Sequence, residues 1–142
     1  MMATNYFTLL KELKRLSRFQ QTPIQYVDSD YEAILNKGIR TLYVDLGKSE
    51  DFNLEVLDDD GVYEITVDLS IAKQEYILNA AMIDFYQVVQ QDVNTIVGYS
   101  TDSLTVTNAD KPYTNISNEI NKLHARQNEL LPKIIAEEAN LE

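Results

Sequence analysis

The longest run of patterned hydrophobic positions extends from Leu69 to Val97. Ile71, Leu78, Met82, Phe85, Val89, Val93 and Ile96 recur at helical spacing, and Ile77, Ala81 and Val88 widen the stripe. A period near 3.6 lays such positions along one broad apolar face of an α-helix. Ser70 is placed to cap its first turn, Leu69 to fold back onto that turn, and Gly98 to stop it. A second long pattern joins Tyr113, Ile116, Ile120, Leu123, Gln127, Leu130 and Ile134. Pro112 fits its first turn, with Asp110 near the capping position. Pro132 has no amide to donate, so this helix is expected to bend or end near Glu129, with the last residues frayed.

Two shorter helices come first. Tyr6, Leu9, Leu10, Leu13, Leu16 and Phe19 share one face, and Lys11, Lys14, Arg15 and Arg18 lie on the other. Thr22-Pro23 closes that segment, because a residue before proline is pushed out of the helical region. Tyr31, Ile34, Leu35, Ile39, Leu42, Tyr43 and Leu46 predict a helix capped by Asp28 or Ser29 and stopped at Gly47. Gly38 interrupts it at a cost of about 1 kcal/mol relative to alanine, and close approach to another helix is one reason for its presence.

Between these helices the period changes to two. Phe52, Leu54 and Val56 alternate with polar residues, as do Tyr63, Ile65 and Val67, and Asp58-Asp59-Asp60-Gly61 lies between the two runs. Asp60-Gly61 suits a tight turn with positive φ, which predicts a β-hairpin. Two strands alone make a marginal sheet, so an extended acidic arm ordered by contact is the alternative. Residues 99–111 are polar around Leu104 and Val106 and read as a loop or short hairpin. The expected fold is mainly α: a small helical bundle with two long antiparallel helices. It forms a single domain over 1–142, with 1–27 a peripheral N-terminal helix and 48–69 the hairpin or arm.

Composition narrows the function. The 142 residues are 44% hydrophobic, enough for one cored domain. No segment approaches the roughly 20 apolar residues that cross a bilayer. The N-terminal apolar and basic residues are interleaved rather than ordered as a signal peptide, which places the chain in the cytosol where it is made. The net charge is -11, and it is unevenly spread: residues 1–27 carry four bases and one acid, residues 28–68 three bases and twelve acids. Phosphate contacts need Lys or Arg, so independent nucleic-acid binding and attachment to anionic lipid are both disfavoured.

The chain has no cysteine and one histidine, His124, which excludes thiolate chemistry, cysteine-ligated metals and histidine clusters. The Asp58–Asp60 run fails as a helix–loop–helix calcium loop. Counted from Asp58, the sixth position is Tyr63 where glycine is required, and the twelfth is Leu69 where a bidentate glutamate is required. Asp58 and Glu64 lack any sign of the enclosed cleft that separates an acid from a base. No phosphate-binding or nucleophile-elbow glycine motif is present. The sequence therefore yields no catalytic, cofactor-binding or metal residue, and an enzyme is not expected. Nine tyrosines and no tryptophan divide between half-buried core edge and interface content.

Two segments, FNLEVLDDDGVYEITVDLSIAKQEYILNAAMIDFYQVV and DSLTVTNADKPYTNISNEINKLHARQNELLPKI, set out an order of features. An acidic extended stretch leads into a D-L-S helix start, a long helix with an aromatic pair, a polar loop and a long polar-faced helix. Over about residues 50 to 135 the chain resembles the head–tail connector proteins of tailed bacteriophages, also called head-completion, adaptor or neck proteins. That resemblance implies a structural role in virion assembly. Many copies would form a homo-oligomeric ring between portal protein and a downstream neck or tail-completion protein, continuing the channel through which packaged DNA passes without sequence-specific binding. It implies location in the virion neck, and in host cytoplasm before assembly, with no membrane partner. Segments 48–69 and 99–111 and the N-terminal helix would make the contacts. The basic first helix and separate acidic arm depart from the usual opening of such proteins. The alternative is a small acidic regulatory protein that masks a basic protein partner.

Overall fold

The apolar stripes fold into helices that pack through those stripes. In the computed structural model, which describes residues 3–17, 26–100 and 110–140 and the side chains of all but 91–100, 110–115 and 140, the elements follow in order. They are α1 (Tyr6–Ser17), α2 (Asp28–Asp45), α3 (Asp51–Glu55), β1 (Val56–Asp59), β2 (Val62–Ile65), α4 (Ile71–Ser100) and α5 (Asp110–Asn140). Among the described residues this is a mainly helical bundle of five helices with one two-stranded antiparallel sheet, in agreement with the helical class read from the sequence. Phe19, Arg18, the Thr22-Pro23 closure, the side chains of Val93, Ile96 and Tyr113, and residues 101–109 of the polar loop lie outside the described residues.

Cross-contacts fix the directions of the four longer helices. Tyr6 Oη donates to Asn36 Oδ1 at 2.8 Å, while Lys14 near the other end of α1 meets Asp28 at the start of α2. Tyr31 stacks on Phe85, whereas Asp45 at the far end of α2 accepts from Tyr76. Gln90 faces Ser117, and Ser70 donates to Glu137. Each of these helices runs opposite to the one before it. One end of the bundle therefore gathers the start of α1, the end of α2, the start of α4, the end of α5 and the whole α3–hairpin insertion.

The side chains excluded from solvent come from all four helices: Leu13, Leu35, Ile39, Leu42, Ile77, Phe85, Leu130 and Ile134. Gly38 sits where α2 crosses α4. A Cβ there would lie 2.7 Å from the Ile77 carbonyl oxygen and 3.1 Å from the Ala81 nitrogen, so the missing side chain is what lets the two backbones meet. Ser70 Oγ accepts from the Lys73 amide at 3.3 Å and caps α4.

Several expectations are corrected by the packing. The N-terminal helix is not peripheral, because α1 buries Tyr6, Leu9, Leu10 and Leu13 in the shared core. Asp28 and Ser29 lie inside α2 rather than capping it; the Asp30 carboxylate reaches back to accept from the Val27 amide at 3.0 Å. Phe52 and Leu54 belong to α3, not to a strand. Phe52 and Val56 are both buried one helical turn apart, and Leu54 is left 72% exposed, so helical spacing seats the two large groups that alternation would have extended past the core. Helix α4 continues through Gly98 to Ser100. Ile71, expected in the core stripe, is 84% exposed, while its neighbours Leu69 and Ala72 pack against the core and Ser70 and Lys73 meet the end of α5.

Helix α5 does not stop near Glu129, and of the last residues expected to fray, 136–140 continue it to Asn140. Burial of Leu130 and Ile134 on either side of the proline, with contacts made farther on by Glu137 and Glu138, holds the segment helical despite the lost hydrogen bond.

The hairpin itself forms with the expected turn. Val56 pairs with Ile65, Leu57 with Glu64, Asp58 with Tyr63 and Asp59 with Val62. That register leaves Asp60 and Gly61 as the two-residue connection, both at positive φ (53° and 82°) as such a turn requires.

Candidate interaction surface

The residues considered for chemistry are not brought together. The hairpin register turns Asp58 and Glu64 to opposite faces of the sheet. His124 lies exposed on α5, in a shallow depression with Lys37, Thr41, Asp84 and Gln87. Among the described residues, no three His, Asp or Glu side chains are arranged to hold a metal ion.

The tyrosines whose side chains are described turn inward. Tyr6, Tyr43, Tyr76 and Tyr86 are buried, and Tyr26, Tyr31 and Tyr63 pack against the same core. Burial holds the phenols of Tyr6, Tyr43 and Tyr76 above their ordinary pKa, so they stay protonated at neutral pH. Tyr6 and Tyr76 spend their protons on Asn36 and Asp45. Those seven tyrosines thus supply the core and its polar links rather than the exterior.

A polar cluster locks the insertion end of the bundle. Glu138 near the end of α5 accepts from Lys48, just beyond α2, at 2.7 Å, and pairs with Lys73 of α4. Next to it Ser70 Oγ donates to Glu137 at 2.9 Å. One turn deeper into α4, Arg126 of α5 grips both oxygens of Glu75 at 2.8 and 3.2 Å. Hydrogen bonds from Lys48 and then Lys73 draw the Glu138 carboxyl below its usual range. A carboxyl whose pKa is depressed on folding contributes stability that is present above the unfolded carboxylate value and lost as pH falls through the folded one. Glu138→Gln should therefore be less stable than the parent chain at neutral pH, with the gap closing in acid below about pH 4. Denaturant midpoints of the two chains measured between pH 3 and 7 check this; a gap of constant size would show that the lysine contacts add nothing.

The large apolar side chains left outside the core are concentrated at this same end. Phe7 on α1, Val44 at the end of α2, Leu54 on α3, Leu57 and Val62 on the hairpin, Ile71 at the start of α4 and Ile135 on α5 are each at least 43% exposed. Among the described residues only Val27 is comparably exposed at the opposite end. Scattered apolar residues on a surface need no explanation, but their occurrence on this many chain segments at one end makes that end a candidate contact surface.

Within that face the hairpin is amphipathic. Val56 and Tyr63 face inward, Tyr63 packing on Tyr6 at 5.4 Å between ring centres. Leu57, Asp59, Val62 and Glu64 share the outward face. None of Asp58, Asp59, Asp60 or Glu64 makes an ion pair among the described residues. The sequence reading missed Leu57 and Val62; the signal was their position out of phase with the inward set Val56, Tyr63 and Ile65.

A second surface feature lies between α1 and α4. Thr8, Leu9, Lys11, Glu12, Arg15, Gln74 and Leu78 line an open groove of about 350 Å³. Leu9 and Leu78 form its apolar floor, and Lys11 and Arg15 stand at its rim. Arg15 is shared with Glu12 at 2.5 Å, while Lys11 has no ion pair among the described residues.

Comparison of the chain with protein-family models, with curated proteins and with solved structures finds no match.

Proposed function

We propose that this chain is a structural component of a phage neck, assembling as an oligomeric ring between portal and tail that continues the DNA channel. The observation that carries the reading is the collection of exposed apolar side chains at one end of the bundle, around an acidic hairpin. A protein that works by stacking between two neighbours needs such an end face, and it needs a stiff body behind it. The two long antiparallel helices, α4 and α5, stapled through Arg126–Glu75 and Ser70–Glu137, supply that body. The excess negative charge suits a wall past which DNA slides, since it repels phosphate instead of holding it. In this reading the chain is not an enzyme, needs no cofactor and acts in the virion neck after passing through host cytoplasm.

The hairpin carboxylates, which make no ion pair among the described residues, favour one other reading, an acidic protein that masks a basic partner. Partner capture separates the two. Tagged chain produced beside its own genomic neighbours should retain portal and tail-completion proteins. Retention of a basic nucleic-acid-binding protein in their place would favour masking and overturn the neck assignment.

A further inference from the structure

The outward hairpin face is apolar and acidic, and the α1–α4 groove has an apolar floor with Lys11 and Arg15 at its rim beside Glu12, yet one molecule cannot join its own pair. Tyr63 packs on Tyr6 and fixes the inner face of the hairpin toward the start of α1, so the face bearing Leu57 and Val62 points away from its own groove. We infer that the groove between α1 and α4 receives the outward hairpin face of a second copy of this chain. Leu57 and Val62 would cover Leu9 and Leu78, while Asp59 and Glu64 meet Lys11 and Arg15.

The charge distribution argues for this occupant. The basic residues of the first 27 positions and the acids of the hairpin are the two oppositely charged segments of a chain that is otherwise acidic. The hairpin carboxylates and Lys11 lack ion-pair partners within the molecule's described residues. A groove of about 350 Å³ has room for two aliphatic side chains. The patches are different, so each copy offers one of each. Repeated head to tail, such a contact closes into a ring or extends as a filament, whereas a two-fold rotation would let two copies exchange hairpins as a dimer. The net charge of -11 opposes crowding, which makes the contact weak in isolation and sensitive to salt. This deepens the ring reading by naming the surfaces that neighbours share, and rests on that reading only for the biological setting.

Absence of cysteine makes a direct test clean. Thr8→Cys lines the groove and Val62→Cys lies on the outward hairpin face. Oxidising a mixture of the two single variants should give a mixed disulfide dimer, and the doubly substituted chain should give a ladder of trimers and higher species. A Val62→Cys and His124→Cys mixture is the control for random collision, because His124 is exposed on α5 away from the groove. Lys11→Glu should lower the trapped yield roughly two- to fivefold, the size of one exposed ion pair, and Glu64→Lys added in the other copy should restore it. Trapping no greater than the control, or charge reversal without effect, overturns the inference. Portal capture without this cross-link would leave the neck reading standing and reject the groove; the cross-link without portal capture would do the reverse.

Discussion

Replacing Phe85 by alanine is expected to cost about 3–5 kcal/mol of folding stability, the range for removing a buried aromatic ring from a close-packed core. Phe85 has no solvent exposure. Its ring stacks on Tyr31 at 6.1 Å and meets Tyr26 at 5.5 Å and Tyr86 at 6.1 Å, edge to face. Truncation therefore removes three aromatic contacts along with the transfer free energy, and leaves a void between α2 and α4 that rigid neighbouring helices cannot fill. Equilibrium denaturation of the two chains measures the difference directly. A loss below about 1 kcal/mol would mean that this junction is not the core, and with it the pairing of α2 on α4 would fail.

Gly38→Ala is the second large effect, and its sign is the informative part. Helix propensity alone favours alanine over glycine by about 1 kcal/mol in an exposed helix interior. The new Cβ would stand 2.7 Å from the Ile77 carbonyl oxygen and 3.1 Å from the Ala81 nitrogen. Those are backbone atoms of α4 and cannot swing aside, so α2 and α4 must separate along their contact, loosening Tyr31 from Phe85 two turns away. Overpacking against backbone that cannot move aside falls in the upper part of the roughly 1–3 kcal/mol range, so after a propensity gain of about 1 kcal/mol a net loss of about 1–2 kcal/mol is expected. A variant as stable as the parent, by the same denaturation measurement, would show that the helices are not held at this crossing.

Much of this fold was legible because its signals are local and redundant. The stripes of α2, α4 and α5 each repeat over several turns, and Asp60-Gly61 marks a turn that few other dipeptides suit. The misplacements came where a local signal has two readings. Phe52 and Val56 are four apart, which puts them on one face of a strand and on one face of a helix alike; only the exposure of Leu54 distinguishes the two. Pro132 follows a sound local rule that the burial of Leu130 and Ile134 overrides. The exposed apolar end was the least legible part. Whether Ile71 is core or surface depends on which side of the first turn of α4 its neighbours pack, a fact about other elements that no periodicity in α4 contains. The tyrosines show the same limit in reverse: composition pointed partly outward, and packing placed the described ones inside.

Under the proposed function, copies of this chain join one another and a portal through exposed surfaces of the bundle. Sedimentation velocity, run across protein and salt concentration with and without purified portal protein, tests it most directly. Alone, the chain should sediment as a monomer in weak, salt-sensitive exchange with larger species; with portal it should shift into a single fast boundary containing many copies. A salt-independent dimer that never enters the portal boundary would contradict the claim.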